Sequence, residues 1–243
     1  MMKKIAVGGM LFMLCAALAG AGDAAFFVDT GFSADGSVYI FGQYGQTDGS
    51  YQGWAEIYTV DVKENVYVPG EVYITKPSVR TARRAGKDVY TALVPRSAQT
   101  IARYAPSPAA PEQILYISGD ESKAGTDEII FTDFSAAREQ QGTYRVQLLP
   151  TVTGTGRNVA SSFVIMLEKR DAAGTVLGRQ RIGTPAVIRK GVAGYRIQKI
   201  LCDRSGKSII FVVEKIINDT SGISIRYMVE AAVLDAGLQV TMQ

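Results

Sequence analysis

Phe32-Ser33-Ala34-Asp35-Gly36-Ser37-Val38-Tyr39-Ile40-Phe41 reads as the end of one strand, a tight turn and the start of a second strand. Serine, aspartate and glycine cluster where the chain must reverse, and glycine takes positive φ at no steric cost. The run Val38 to Phe41 is β-branched and aromatic, the composition of a buried strand. The pattern returns near the other end of the chain as Cys202-Asp203-Arg204-Ser205-Gly206-Lys207-Ser208-Ile209-Ile210-Phe211. Gly36 falls on Gly206 and Phe41 on Phe211 without a gap. A further strand follows each copy, Ala55 to Val62 after the first and Ser224 to Val233 after the second.

Working outward, strand signals dominate. Glu56 to Val62 and Val66-Tyr67-Val68 are separated by a polar turn. Gln113 to Ser118 and Glu128 to Asp133 read as a pair of strands, as do Ser162 to Lys169 and Gly174 to Ile182 across Asp171-Ala172-Ala173-Gly174. Lys207 to Ile217 and Gly222 to Leu234 form the last pair, and connections this short suit antiparallel hairpins. One stretch differs. Ser78 to Ala105 is rich in alanine and arginine, with Val79, Ala82, Ala85, Val89, Leu93, Ile101 and Tyr104 at helical spacing and a break near Pro95. The expected fold is mainly β: antiparallel hairpins in a propeller-like or sandwich-like domain with an α-helical insert at about 78–105.

The chain opens with Met1-Met2-Lys3-Lys4, an uncharged apolar run from Ile5 to Leu18 and the small residues Ala19-Gly20-Ala21. That is the tripartite pattern of a secretory signal. As a helix the apolar run spans roughly 21 Å, short of the roughly 30 Å hydrocarbon core. We expect cleavage near Ala21, leaving 22–243 as one mature β domain in the periplasm or secreted. An uncleaved anchor and a lipoprotein modified at Cys15 are the alternatives. For the latter, Leu14 departs from the small residue a lipobox places before its cysteine. The remainder holds no second long apolar run, so no transmembrane helix is expected in the mature chain.

Composition excludes more than it assigns. Loss of Lys3 and Lys4 takes the formal charge from +3 to +1, which gives no global attraction to nucleic acid. The chain has no histidine, which removes Ser-His-Asp and Cys-His catalysis and every histidine metal site. Cys202 is the one cysteine beyond the signal; it reads as a buried thiol and permits no internal disulfide. No cofactor, metal or catalytic residue is assigned. Gly154-Thr155-Gly156 lacks the third glycine and the helix of a dinucleotide site. The acidic stretch Ser118-Gly119-Asp120-Glu121-Ser122 with Asp127-Glu128 does not follow an EF-hand, and Asn218-Asp219-Thr220 is a chance-level glycosylation sequon.

Two resemblances add to this. The segment Phe32-Ser33, Asp35-Gly36, Val38 to Phe41, Ile57-Tyr58 and Asp61 resembles a TolB-type β-propeller blade, while the second copy lacks the aspartate-glycine pair and the closing aspartate. The chain more closely resembles a bacterial family of predicted secreted proteins, domain of unknown function 2259. The resemblance rests on Gly31 to Gly36, on Asp48-Gly49-Ser50 before the aromatic strand Ala55 to Asp61, and on the alanine- and arginine-rich segment that follows. It implies export and fold, and no activity.

Two features are candidates for contact with a partner. Gly42-Gln43-Tyr44-Gly45-Gln46 through Asp48, Gly49, Ser50, Tyr51 and Trp54 mixes amides with aromatics, which suits carbohydrate or peptide contact. Its plain reading is a hairpin loop whose rings cover the edge of the core. Between Lys76 and Arg103 the cations Arg80, Arg83, Arg84 and Lys87 stand in a stretch whose only acid is Asp88. That makes either a solvated face or a basic patch for an envelope protein, a cell-wall polymer or an anionic lipid surface. The expected function is a non-enzymatic binding or structural module of the envelope. The alternatives are a histidine-free glycan hydrolase using carboxylates such as Asp48 and Glu56, and an assembly subunit.

Overall fold

The structure is a computed structural model and describes residues 23–119, 128–132, 142–219 and 222–240. The signal segment, Asp120 to Asp127 of the acidic stretch, Asp133 and Thr220 of the sequon lie outside the described residues. The described chain is mainly β, in three antiparallel sheets. Sheet I is a meander of β1 (Phe26–Phe32), β2 (Val38–Gln46), β3 (Gly53–Asp61) and β4 (Val66–Thr75). A 3-10 turn at Val79–Thr81 leads into α1 (Gly86–Leu93), a 3-10 turn at Val94–Ser97 and α2 (Ala98–Tyr104). Pro95 has no N–H to give, and the α-helix tightens to 3-10 around it before resuming. β5 (Ile114–Ile117) then joins sheet III. Sheet II holds β6 (Ile129–Thr132), β7 (Thr143–Thr153) and β8 (Ala160–Arg170), with β9 (Val176–Ile182) and β10 (Arg189–Lys190) sharing the far edge of β8. Sheet III runs β5, β11 (Val192–Cys202), β12 (Ser208–Asp219), β13 (Gly222–Val233).

The layers follow from side-chain alternation. On β12, Ile209, Phe211 and Val213 join a core with Phe163, Ile165 and Leu167 of sheet II. Ile210 and Val212 point the other way and join Tyr39, Phe41 and Val60 of sheet I. A strand buried on both faces reads as a continuous apolar run, and Ile209 to Val213 is one. β2 repeats the arrangement: Tyr39 and Phe41 face sheet III, while Val38 and Ile40 pack against Val89 and Leu93 of α1. The order is therefore helices, sheet I, sheet III, sheet II. Sheet I turns its outer face to helices rather than to another sheet, so the sheets stack and do not close into a ring. Glu71 of β4 pairs with Arg103, and Tyr73 bonds Thr100 at 2.7 Å, which tie α2 to this face.

The repeated segments fold alike. Ser33 N–H donates to the Val38 carbonyl at 2.9 Å and Gly36 N–H to the Ser33 carbonyl at 3.0 Å; Asp203 to Ser208 and Gly206 to Asp203 are the same bonds, each 3.0 Å. Gly36 has φ 71° and Gly206 φ 68°, the left-handed region that the turn demands. The two turns also meet, since a methyl group built on Gly36 would lie 2.6 Å from Asp203 Oδ2. The Ser33 and Ser37 hydroxyls donate to Asp35, which holds its carboxyl below the ordinary range. In the second copy Asp203 itself accepts from the N–H groups of Ser205, Lys207 and Ser208.

β13 is an edge strand, and such edges invite unwanted pairing. Here its outward backbone is occupied. Ile225 bonds Asp23 and Ala25 through the main chain, at 2.9 and 3.1 Å. The Gln43 amide takes both the N–H and the carbonyl of Tyr227, at 2.7 and 3.1 Å. Asn65 accepts from Ala231 N–H at 2.7 Å.

Four differences from expectation have local causes. β5 and β6 do not pair with one another; β5 pairs with β11 and β6 with β7. Reading neighbours as a hairpin assumed short-range pairing, whereas sheet II is inserted between the first and second strands of sheet III. β7 was missed because Pro150 interrupts a strand in which Tyr144 and Val146 are buried. The α-helix begins at Gly86, later than the composition suggested. β4 continues to Thr75, well past Val68.

Candidate functional site

The loop read as Gly42 to Trp54 is mostly strand. Gly42 to Gln46 end β2, Gly53 and Trp54 begin β3, and the connection is Thr47 to Gln52. This connection is clasped to the basic segment. Gln52 and Ala82 form an isolated antiparallel bridge. Arg83 N–H donates to the Tyr51 carbonyl at 2.7 Å, and Gln46 Nε2 donates to the carbonyls of Tyr51 and Arg84 at 3.2 and 3.1 Å. The two sequence candidates are thus neighbours in space.

Between them lies a cleft of about 410 Å³. Asp23, Phe26, Tyr44, Gln46, Asp48 and Lys87 supply its side chains, and Gly45 and Gly86 its floor. The floor is tight: a methyl group on Gly86 would lie 2.3 Å from the Gly45 carbonyl oxygen, so the start of α1 rests directly on β2. Phe26, 65% exposed, stacks on Tyr44 with centroids 5.4 Å apart and planes at 19°. Asp48 Oδ2 is shut off from solvent and has no hydrogen-bond partner among the described residues.

Behind the cleft Trp54 is only 2% exposed, so it supports the site from inside and is not part of the exposed loop. Its Nε1 donates to Asp23 Oδ2 at 3.0 Å. The Arg226 guanidinium lies over its ring, 3.9 Å from the centroid, and pairs with the same Asp23 oxygen at 2.5 Å. Asp23 is 5% exposed, and its other oxygen, Oδ1, has no hydrogen-bond partner among the described residues. Charge-assisted bonds to a buried carboxylate are short and strong, and they fix the start of the described chain to sheet III.

Tyr51 is 62% exposed at the tip, beside the exposed Gly49 and Ser50. Arg80, Arg83, Arg84 and Lys87 are all exposed, and none makes an ion pair among the described residues. Arg103 is different, being held by Glu71. Glu56 does not reach the cleft; it accepts from Gln43 and Tyr58 between sheets I and III, where burial and the Glu56 charge push the Tyr58 hydroxyl well up. The Cys202 thiol is buried and faces the Gln113 carbonyl at 3.6 Å.

Sequence reasoning found Asp48 and Lys87 but not Asp23 or Phe26. Both lie just after the expected cleavage point, in a stretch with no periodic signal long enough to place them. Among the described residues no helix is long and apolar enough to cross a membrane.

Comparisons with curated proteins and with solved structures gave no match. A family model described as predicted secreted protein (DUF2259) matches residues 40–232, a span that takes in Asp48, Trp54, the basic segment, sheet II and sheet III short of the last residue of β13. The family description agrees with export, and the chain belongs to this family of predicted secreted proteins.

Proposed function

We propose that the chain is an exported, non-enzymatic binding module that holds an anionic component of the cell envelope at the cleft between the Thr47 to Gln52 connection and the start of α1. The observation that carries this is the set of four exposed cations that make no ion pair among the described residues, Arg80, Arg83, Arg84 and Lys87, on the segment that forms one wall of the cleft. An isolated exposed cation is ordinary. Four on one short segment, with Asp88 as the nearest acid in sequence, raise the local potential and attract phosphate or carboxylate groups. The cleft falls within the range of small-ligand sites, about 300–1,000 Å³, and has an aromatic wall as such sites do.

The test is co-sedimentation of the chain with vesicles of anionic lipid and with purified anionic cell-wall polymer, against neutral vesicles. Binding to at least one anionic target is expected at low salt and should weaken steeply toward physiological ionic strength, where the Debye length is about 8 Å. The fourfold variant Arg80→Glu, Arg83→Glu, Arg84→Glu, Lys87→Glu should lose it. Equal sedimentation of wild type and variant, or none with any anionic target, refutes the proposal.

A second reading, carboxylate-dependent glycan hydrolysis, has one observation in its favour: Asp23 and Asp48 line the same cleft, each with an oxygen that lacks a partner among the described residues. It requires release of reducing ends from glycan that disappears in Asp48→Asn. Release that persists in that variant discards it.

A further inference from the structure

Sheet II packs one face on sheet III and turns the other outward. Phe163, Ile165 and Leu167 of β8 enter the core, so Met166, Glu168 and Arg170 lie on the outer face. Strand pairing puts Arg145 of β7 and Arg179 of β9 on either side of Glu168, and Arg181 beside Met166. The helices and the basic segment are at the other end of the layer order.

On this outer face Arg145, Gln147, Met166, Glu168, Arg170 and Arg179, together with Glu128, line a pocket of about 230 Å³. Glu168 is the least exposed of its charged side chains, at 14%. Its Oε1 accepts from Arg170 Nε and its Oε2 from Arg179 Nε, both at 2.5 Å. Those two bonds hold the carboxyl below the ordinary range, so it stays ionised and keeps both guanidiniums aimed. A guanidinium carries several further donors on its terminal nitrogens. On Arg170 and Arg179 these have no hydrogen-bond partner among the described residues. Arg145 meets only Glu128, at 3.5 Å. Three cations therefore face two acids in the pocket. Arg181, exposed and in no ion pair among the described residues, adds a fourth beside it.

We infer that this pocket is a second ligand site, which binds a small phosphate monoester between Arg145, Arg170 and Arg179, with Glu168 as the residue that positions the last two. Neighbouring strands lie about 4.8 Å apart, so guanidiniums from three of them can close on one group. A carboxylate has two oxygens and is answered by two forks, as Glu168 itself shows. A phosphate monoester has three unsubstituted oxygens and about 1.5–2 negative charges at pH 7, so it can engage all three. The planar fork of arginine matches phosphate oxygens in pairs. Met166 gives the carbon side of the ester an apolar wall. The volume is below the roughly 300–1,000 Å³ of sites for drug-sized ligands, which suits a small ester. The inference goes beyond the proposed module, because this pocket and the cleft lie on different layers. The chain then holds an envelope component at one end and a soluble phosphate at the other.

The experiment titrates the chain with methyl phosphate, dimethyl phosphate and acetate by calorimetry at neutral pH. Methyl phosphate is expected to bind at least about tenfold tighter than the other two. Arg145→Gln and Arg179→Gln should each weaken it about tenfold. Arg179→Lys keeps the charge but loses the fork, and should fall between wild type and Arg179→Gln. Unfolding midpoints are measured alongside, and the exposure of the Arg145 and Arg179 side chains leaves the fold intact. The fourfold glutamate variant of the basic segment should bind methyl phosphate as wild type does. Equal affinity for methyl and dimethyl phosphate overturns the inference, as does no methyl phosphate binding or full binding in both glutamine variants. Loss of methyl phosphate binding in the fourfold variant moves the phosphate to the cleft, which overturns the second site and leaves the module standing. Methyl phosphate binding that needs Arg145 and Arg179, in a chain that sediments with no anionic target, keeps this site and discards the module.

Discussion

The N–H of Arg83 donates to the carbonyl of Tyr51 at 2.7 Å, and both residues hold positive φ, 60° and 48°. Left-handed conformations cost a non-glycine residue about 1 kcal/mol or more, and such outliers persist where surrounding structure over-determines them. Here two are joined by one hydrogen bond at the seam between the loop and the basic segment. Tyr51→Val, a β-branched residue that resists positive φ, is expected to lower stability by about 1–2 kcal/mol, whereas Tyr51→Gly should stay within about 1 kcal/mol of wild type. Chemical denaturation decides. Exposure alone predicts that both changes are neutral, so equal midpoints refute the strained seam.

Gly45 lies between Trp54 and Asp23. A methyl group there would sit 2.7 Å from Trp54 Cζ2 and 2.9 Å from Asp23 Oδ1. Gly45→Ala is expected to cost about 1–3 kcal/mol by overpacking and to shift Trp54 emission. Gly86→Ala should cost more, because its added methyl meets the Gly45 backbone, which cannot swing away as a side chain can. Thermal unfolding of the two variants gives the order directly, and the reverse order counts against this packing.

Arg226 neutralises Asp23 and covers Trp54. Removing one partner of a buried pair leaves the other charged and unanswered, at about 3–5 kcal/mol. Arg226→Ala is therefore expected to be strongly destabilising, while the double variant Arg226→Met with Asp23→Asn should recover much of the loss. A double-mutant cycle on unfolding free energy measures the coupling, and additive losses would show that the pair acts independently.

Gln43 shields the β13 edge. Gln43→Ala strips Tyr227 N–H and carbonyl of their partners and takes a donor from Glu56. A loss of about 2 kcal/mol or more is expected, since each buried unsatisfied group costs about 1–3 kcal/mol. Concentration-dependent light scattering should also rise, because the edge becomes open to pairing. Unchanged scattering together with unchanged stability would refute the shielding role.

Glu230 sets a pH dependence. Burial pushes its carboxyl above the ordinary range, against the pull of the Asn65 amide and the Arg189 guanidinium. An acid that binds its proton more tightly folded than unfolded favours folding when protonated, and that stability is lost as pH rises through the folded value. Relative to Glu230→Gln, wild type should therefore be penalised at neutral pH, with the gap narrowing as pH falls toward the ordinary glutamate range. Differential melting of the two proteins across that window tests it. A gap that widens on acidification contradicts the sign.

Much of the sheet architecture was legible because its signals are local. The paired turns at Asp35-Gly36 and Arg204-Ser205-Gly206 could be aligned by eye, and the hairpins β8–β9 and β12–β13 follow from short connections between apolar runs. β5 was misjoined because its partner β11 is distant in sequence, and nothing in Ile114 to Ile117 names it. The site was legible only in pieces. Asp48 stood out for its loop and Lys87 for its charge, but their meeting depends on the bridge from Gln52 to Ala82. The side on which Trp54 lies was not legible, since an aromatic residue beside a polar loop reads the same whether its ring turns out to a ligand or in to Asp23 and Arg226.

The sequence by itself determined antiparallel hairpins, a helical stretch and the absence of histidine chemistry, all of which are properties of composition and of residues close along the chain. The tertiary structure alone decided that sheet III lies between the other two and that Asp23 reaches Trp54 and Arg226. It alone decided, too, that a carboxylate and a lysine from separate elements face one cleft without pairing. Those relations join residues far apart in the chain, where burial and hydrogen-bond satisfaction of the whole, rather than any local preference, choose the partners.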